Sequence, residues 1–279
     1  LPRPAFSGTH NDSKRVSPVI IKMVDFSFLK KLVPSKLPSF SGRLHEVVGI
    51  DIGTHSTKVV QLRYEKERAI LQTYGELLNQ HYLKKVNSSS ANFLRYLDSD
   101  IAALLKDALT ESRVTVKDAV MAVPATSSFI VTISLPQISR NEAKEAIPYE
   151  ARKYIPIPIS EVVLSWEVLE EETKNDIIEA LLIAVPREVV NKLKRIAELA
   201  GITLRGIEIE TFSTARSLVR RDPTPTGIIN LGSQTTTLAI VDQGKVHVSH
   251  NFDRGSLELT RVLERGLNIN GERAEQIKR

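Results

Sequence analysis

The sequence contains no cysteine, few aromatic residues and no long apolar run. Without cysteine there is no disulfide and no thiolate-bound metal, which is usual for a protein of a reducing compartment. The longest uninterrupted apolar segment is Ala180–Val185. It has the length of a buried strand and falls far short of the ~20 residues that cross a membrane. These absences exclude a disulfide scaffold and a transmembrane helix, so any membrane association is peripheral.

Two further signatures are missing. No G-x-x-x-x-G-K-[ST] loop occurs, which excludes the phosphate loop of the common nucleoside triphosphatases. The net charge is only +5, from 38 basic and 33 acidic residues, and no dense basic block is interleaved with aromatic residues. Such a small excess argues against nucleic acid as a partner.

Residues 1–45 differ in composition from the rest of the chain. They are rich in proline and serine and show no sustained hydrophobic period, so we expect little packed structure there. Met23 is a candidate native start, which would make residues 1–22 an upstream addition. The short basic amphipathic stretch that follows Met23 has two interpretations, a membrane-surface contact or a frayed lead-in.

From Glu46 onward, strands and helices succeed one another as in a mixed α/β protein. A helix containing Pro148 and two strands joined by an acidic turn indicate an inserted subdomain, and a helix ending at Gly201 closes it. The second lobe stops just as a new helix begins, so we expect it to be incomplete. The predicted segments are a first lobe at 46–138, an insert at 139–200, a return and linker at 201–225 and a second lobe at 226–279.

Two glycine-turn hairpins are the feature that carries chemistry. The segment Gly49–Val60 aligns with Ile228–Ala239 at a constant offset of 179 residues. Each copy reads as a strand, a polar turn with glycine and a second strand. Such a hairpin alone is often a ligand-free tight turn. Two copies in opposite halves of the chain instead predict two similar lobes that face each other across a cleft.

The residues of these turns suit phosphate. Glycine brings backbone N–H groups close to an anion, hydroxyls donate further hydrogen bonds and a lysine adds a positive charge. A carboxylate can hold Mg²⁺ through water, which assigns Asp51 to the metal. Of the six histidines, His55 in the first turn is the one placed near a ligand. The predicted phosphate-binding residues are Asp51, Gly53, Thr54, Ser56, Thr57, Lys58, Asn230, Gly232, Ser233, Thr235 and Thr236.

The paired hairpins resemble those of the actin-like ATPase superfamily, and further motifs resemble the type IV pilus assembly protein PilM family, which is similar to the cell-division protein FtsA. The likeness covers about residues 46–279. The segments that carry it are Leu135–Ala146, Tyr149–Ala151, Tyr154–Pro158, Glu161–Leu164, Ala184–Val190, Ala200–Gly201 and Phe212–Arg216.

This resemblance implies an actin-like, ribonuclease H-like two-lobed fold and a cytoplasmic protein at the inner membrane that binds ATP and Mg²⁺. It assigns Glu210 to orienting water and Glu275 and Lys278 to the nucleoside. It also implies that the N-terminal peptide of a PilN-like bitopic inner-membrane protein docks beside the insert, where Tyr149, Tyr154 and Trp166 either line a groove or pack in the core. Pilus motor ATPases, the platform protein and further copies of the chain are additional partners that it admits.

One departure bears on catalysis. Asn230 stands where the superfamily usually has aspartate, and an amide can neither act as a base nor hold Mg²⁺ with a full charge. Binding of ATP is therefore expected with weak or absent hydrolysis. The alternatives are an active ATPase or kinase on the same fold, and a filament-forming, FtsA-like membrane recruiter.

Overall fold

A computed structural model describes residues 46–65, 68–83, 96–136, 140–170, 177–219 and 222–278. The predictions for residues 1–45 and for a helix cap at Ser139 lie outside these ranges. Besides short 3-10 turns, the described residues form eleven strands and six α-helices, in this order: β1 (Glu46–Ile52), β2 (Ser56–Glu65), β3 (Arg68–Leu78), α1 (Asp98–Glu111), β4 (Asp118–Val123), β5 (Phe129–Pro136), α2 (Arg140–Ala151), β6 (Val162–Glu170), β7 (Ile177–Pro186), α3 (Arg187–Ala200), β8 (Thr203–Ile209), α4 (Glu210–Leu218), β9 (Thr226–Leu231), β10 (Thr236–Asp242), β11 (Lys245–Phe252), α5 (Ser256–Leu267) and α6 (Gly271–Lys278).

The first lobe is built on a five-stranded sheet with the order β3-β2-β1-β4-β8. Strands β1, β2 and β3 form an antiparallel meander, whereas β1, β4 and β8 run parallel. Helix α1 covers one face of this sheet. Its apolar residues recur at helical spacing, and Ile101, Leu104 and Leu105 are fully buried in the same core as Val48 and Met121. The sheet and its helices form the scaffold of the cleft described below.

The insert has its own three-stranded sheet, with the order β5-β7-β6, and its own core. Ile147 of α2 is buried against this sheet, and Pro148 lies inside the helix as predicted. The sheet begins at Phe129, ahead of the predicted boundary at 139, because β5 pairs with β7 and not with a first-lobe strand.

The packing of helix α3 also differs from the predicted assignment of this helix to the insert. The range predicted for the insert, 139–200, contains this helix, and its end at Gly201, where φ is +75°, agrees with the sequence. Its buried residues Leu193 and Ile196 nevertheless belong to the core of the first lobe. An amphipathic helix packs where its apolar stripe is covered, and here α1 covers most of that stripe, with smaller contributions from β8 and from β7 of the insert.

The second lobe presents an antiparallel three-stranded sheet, with the order β11-β10-β9, followed by α5 and α6. The insert contacts this lobe through β11. Thr132 Oγ1 donates a hydrogen bond to the carbonyl oxygen of His247 at 2.6 Å. Lys245 Nζ donates to the carbonyl oxygens of Val168 and Leu169, both at 3.1 Å. The insert is therefore joined to both halves of the molecule.

A buried ion pair joins α1 to α3. Lys192 is only 4% exposed, and its Nζ donates to Asp98 Oδ1 and to the carbonyl oxygen of Tyr96, both at 2.5 Å. Arg195 Nε donates to Asp98 Oδ2 at 2.6 Å from the solvent side. Burial raises the pKa of Asp98, but the hydrogen bonds from both cations outweigh burial, so that pKa lies below its ordinary value.

Asp98→Ala should destabilise the protein by ~3 kcal/mol, because it removes the carboxylate that the buried ammonium of Lys192 contacts at 2.5 Å. Arg195→Ala removes an exposed partner of the same carboxylate and should cost less than about 1 kcal/mol. Urea denaturation of both variants measures the difference. Equal losses of unfolding free energy would contradict the assignment of Lys192 and Asp98 as the buried pair.

Candidate phosphate-binding cleft

Parallel pairing gathers three site residues at one sheet edge. Because β1, β4 and β8 are parallel, their carboxyl ends meet at the same edge, where ligands of open α/β sheets usually bind. Asp51 lies near the end of β1, Pro124 follows β4 and Glu210 follows β8. All three line one cleft.

The second hairpin lines the opposite wall of this cleft. Asn230, Gly232, Ser233, Thr235 and Thr237 come from β9, β10 and the turn between them. The cleft has a volume of about 140 Å³. Pockets for whole small-molecule ligands have roughly 300–1,000 Å³. This space is large enough for one or two phosphate groups.

The two hairpins have the same register. Asp51 pairs with Lys58 in the first and Asn230 with Thr237 in the second, so the offset of 179 residues holds in three dimensions. The turn of each is closed by one backbone hydrogen bond, from Gly53 N to Ser56 O at 3.1 Å and from Gly232 N to Thr235 O at 2.9 Å. The two hairpins that align in sequence therefore also have the same strand pairing and the same turn-closing hydrogen bond.

Both turns require glycine. A Cβ on Gly53 would stand 2.9 Å from the carbonyl oxygen of Ser56, and a Cβ on Gly232 would stand 2.8 Å from that of Thr235. Real Cβ atoms do not approach a backbone oxygen this closely, so any other residue would open the turn. Both turns line the cleft, and a tight glycine turn of this kind suits an anion when its free N–H groups face the ligand.

Lys58 is the cation of the site. Its Nζ lies 3.1 Å from Ser56 Oγ and 3.8 Å from Glu76 Oε1, and Ser56 Oγ donates to the same glutamate oxygen at 2.5 Å. The side chains of Lys58 and Glu76 are both more than half exposed. A pair of this kind contributes about 0–1 kcal/mol, so the ammonium can move to a phosphate at small cost.

Two carboxyl groups face the same space. Burial raises the pKa of Asp51, and Lys58 lowers it by a smaller amount. Burial also raises the pKa of Glu210. The hydrogen bond from the backbone N–H of Ala125, at 3.0 Å, lowers this pKa, and the nearby charge of Asp51 raises it further. Two partly desolvated carboxylates beside each other favour a bound cation.

The donor chemistry fits Mg²⁺. This ion takes oxygen ligands and keeps several waters, so one or two carboxylates together with phosphate oxygens are sufficient for it. Asp51 and Glu210 would supply these carboxylates, whereas Asn230 on the opposite wall offers only an amide oxygen. Among the residues that the structure describes, no three His, Cys, Asp or Glu side chains form a metal-binding group.

Most predicted phosphate-site residues line the cleft, and four predicted ligand residues do not. Thr57 is 1% exposed and faces the core, because neighbouring residues of a strand point to opposite faces and Ser56 and Lys58 take the cleft side. Thr236 lies between Thr235 and Thr237, which line the cleft, and its side chain points away from the cleft. Its hydroxyl donates to the carbonyl oxygen of Arg254 at 2.7 Å.

Glu275 and Lys278 lie between α5 and α6. Lys278 Nζ donates to Glu275 Oε2 at 2.6 Å and to Thr260 Oγ1 at 2.9 Å, and Thr260 Oγ1 donates to the same carboxylate at 2.8 Å. These contacts pack the two helices together. In the described part of the chain, neither side chain reaches the phosphate cleft.

The cleft also contains residues that the sequence reasoning did not select. Pro124 and Thr126 follow β4, and a prediction that this strand runs parallel to β1 would have placed them at the same edge. Leu83, which follows β3, and Tyr96, which precedes α1, also line the cleft. The carbonyl of Tyr96 accepts from Lys192, which no local pattern signals.

Comparison with known proteins identifies the family. The sequence profile described as type IV pilus assembly protein PilM matches residues 49–279, most of the chain. The chain belongs to this PilM family. The mixed α/β actin-like fold predicted from the paired hairpins is confirmed, and it is a fold of nucleotide-binding proteins.

Individual relatives are distant. The cell division protein FtsA of Bacillus subtilis is 25% identical over 104 residues, which are 37% of this chain and 24% of FtsA. The solved PilM–PilN type IV pilus biogenesis complex contains a chain with 20% identity and a TM-score of 0.68, with 85% of this chain and 69% of that one covered. Ethanolamine utilization protein EutJ from Carboxydothermus hydrogenoformans follows at 15% identity and a TM-score of 0.49, covering 90% of this chain and 67% of its own.

The helices of the described ranges are too short or too polar to cross a membrane. This agrees with the sequence, in which no apolar run reaches the length of a span.

Asp51→Asn should raise the melting temperature of the ligand-free protein at pH 7. Because the pKa of Asp51 is raised in the folded protein, ionisation of this partly buried carboxyl lowers stability progressively as the pH rises above the ordinary pKa of aspartate, and an amide of the same shape removes this penalty. A gain of roughly 0.5–2 kcal/mol is usual for a stabilising substitution. The difference from the wild type should shrink as the pH falls towards the ordinary range of aspartate. Thermal scans from pH 4 to pH 8 test this, and a lower melting temperature for Asp51→Asn at pH 7 would contradict it.

Proposed function

We propose that this chain is an ATP-binding scaffold of the type IV pilus assembly platform, located at the cytoplasmic face of the inner membrane. The observation that carries the proposal is that both glycine hairpins and Glu210 line one cleft. Membership of the PilM family supplies the context of pilus assembly. The cleft supplies the ligand chemistry.

In this proposal the two turns grip the phosphates from opposite sides. The N–H groups of Thr54 and Ser56 and the hydroxyl of Thr54 bind from one wall, and the N–H groups and hydroxyls of Ser233 and Thr235 bind from the other. Lys58 neutralises part of the negative charge. Asp51 and Glu210 would hold Mg²⁺, largely through water, and the ion would screen the remaining phosphate charge. The nucleoside contacts of Glu275 and Lys278 stay a prediction.

Binding without efficient turnover fits the residues of the cleft. Asn230 occupies the position that pairs with Thr237 on the second wall, and its amide cannot take a proton from water. Glu210 is the carboxylate available for that role, with Oε1 already accepting from Ala125. An active ATPase or kinase is the alternative function, and steady-state phosphate release at saturating Mg·ATP separates it from a scaffold.

The double substitution Asp51→Ala with Lys58→Ala should abolish binding of Mg·ATP to the full-length protein. It removes the metal carboxylate and the cation that pair across β1 and β2. Isothermal titration calorimetry at physiological salt measures the loss.

The matched control is Lys106→Ala with Glu111→Ala. It deletes the same two charges from exposed positions of α1 and should bind Mg·ATP as the wild type does. Unchanged affinity in the cleft variant would contradict the phosphate grip, and equal loss in both variants would show a general charge effect.

The proposed partner is the N-terminal peptide of a PilN-like bitopic membrane protein. The solved relative is a complex of PilM with PilN. In this chain the insert exposes two large aromatic residues, Tyr149 at 68% and Tyr154 at 44%, whereas Trp166 packs against the core of the insert. Exposed tyrosines are typical of protein interfaces, so these two are the candidates for the peptide contact.

Tyr149→Ala with Tyr154→Ala should weaken binding of such a peptide at least tenfold, while Mg·ATP affinity stays unchanged. Tyr74→Ala is the control, because Tyr74 is 73% exposed on β3 and lies outside the insert. Fluorescence anisotropy of a labelled peptide measures all three proteins. If the wild type binds no PilN-like peptide, an FtsA-like membrane recruiter becomes the better account.

A further inference from the structure

Asn79 makes the densest set of hydrogen bonds behind the first glycine turn. It directly follows β3 and is 3% exposed. Its Nδ2 donates to the carbonyl oxygen of Gly53 at 2.8 Å, and its Oδ1 accepts from Thr57 Oγ1 at 3.1 Å. Its backbone N–H donates to the carbonyl oxygen of His55 at 2.9 Å. One buried residue therefore contacts three positions of the turn and its flanking strand.

These contacts determine which way the turn presents its donors. A trans peptide is planar, so its C=O and the N–H of the next residue point in opposite directions. When Asn79 holds the carbonyl of Gly53, the N–H of Thr54 is turned away from Asn79. Holding the carbonyl of His55 orients the N–H of Ser56 in the same manner. Thr54 and Ser56 both line the cleft.

The second turn is held from behind by different means. The N–H of Ser256 donates to the carbonyl oxygen of Gly232 at 2.8 Å, and the N–H of Leu257 donates to that of Ser233 at 2.9 Å. Both donors belong to the first turn of α5, which follows β11 as Asn79 follows β3. The helix supplies with its backbone what Asn79 supplies with its side chain.

The same residue also positions part of the wall of the cleft. The carbonyl oxygen of Asn79 accepts from the N–H groups of Tyr82 at 3.0 Å and Leu83 at 2.8 Å. Leu83 is 6% exposed and lines the cleft beside the first turn. Displacing Asn79 would therefore disturb the donors and the apolar wall together.

We infer that Asn79 is a positioning residue for phosphate: it orients the N–H groups of the first glycine turn towards the ligand without touching the ligand. This inference rests on the proposed binding of phosphate in the cleft. It assigns to Asn79 the function that the start of α5 performs for the second turn. No charged group is involved, because the side chain acts as both a neutral donor and an acceptor.

Asn79→Asp is the sharpest variant. It keeps the shape and the acceptor for Thr57 but removes the donor to Gly53, so the carbonyl of Gly53 faces a carboxylate instead. The dissociation constants for Mg·ATP and for inorganic tripolyphosphate should both rise at least tenfold, by a similar factor, because the defect concerns the phosphates alone. Asn79→Ser deletes both side-chain hydrogen bonds without adding charge, and it should lower the affinity for both ligands in the same way. It serves as the test variant if Asn79→Asp does not fold.

Thr57→Val is the control for a purely structural effect. It breaks the other buried hydrogen bond of Asn79 but leaves the bond to Gly53, so affinity should stay within about threefold of the wild type whatever happens to the melting temperature. In ¹⁵N–¹H spectra, tripolyphosphate should shift the Thr54 amide of the wild type and of Thr57→Val, and not that of Asn79→Asp.

The outcomes are distinguishable. If the wild type binds neither ATP nor tripolyphosphate, the proposed function fails and this inference fails with it. If the wild type binds while a folded Asn79→Asp or Asn79→Ser variant binds equally well, the positioning role alone is overturned. A loss of affinity that Thr57→Val shares in full would also overturn it, because the effect would then follow core stability.

Discussion

Parallel pairing of β1, β4 and β8 is the constraint on which the site depends. Because these three strands run in one direction, their carboxyl ends meet at a single edge. Asp51, the backbone N–H of Ala125 and Glu210 become neighbours there although they lie far apart in sequence. The antiparallel strand β2 then returns Lys58 to the position opposite Asp51. Burial at this edge raises the pKa values of both carboxyl groups.

The second hairpin repeats the turn but not the charges. Its register, its closing hydrogen bond and its need for glycine all match the first copy. Asn230 and Thr237 replace Asp51 and Lys58, so the described residues of the second hairpin that line the cleft include neither a carboxylate nor a cation. This asymmetry favours a molecule that holds a nucleotide over one that consumes it, which agrees with a scaffold role in an assembly platform.

Much of the fold and of the site could be predicted from sequence, because the relevant patterns are local. A glycine turn between two strands and the helical spacing of apolar residues in α1 are visible over a dozen residues. Strand alternation also indicates that Thr57 and Thr236 point away from the cleft. The start of the insert at Phe129 could not be predicted from sequence, because the apolar pattern of a strand does not indicate which sheet the strand joins. Asn79 acts on a carbonyl 26 residues away and leaves no local pattern.

Hydrogen exchange measured by mass spectrometry tests the two-sided phosphate grip most directly. The full-length protein would be labelled with and without saturating Mg·ATP, and peptides covering residues 53–58 and 232–237 would be compared. A two-sided grip predicts that the nucleotide slows hydrogen exchange in both turns together, because each turn supplies backbone donors to the same phosphates. Protection of only one turn, or of neither while ATP is bound, would contradict it.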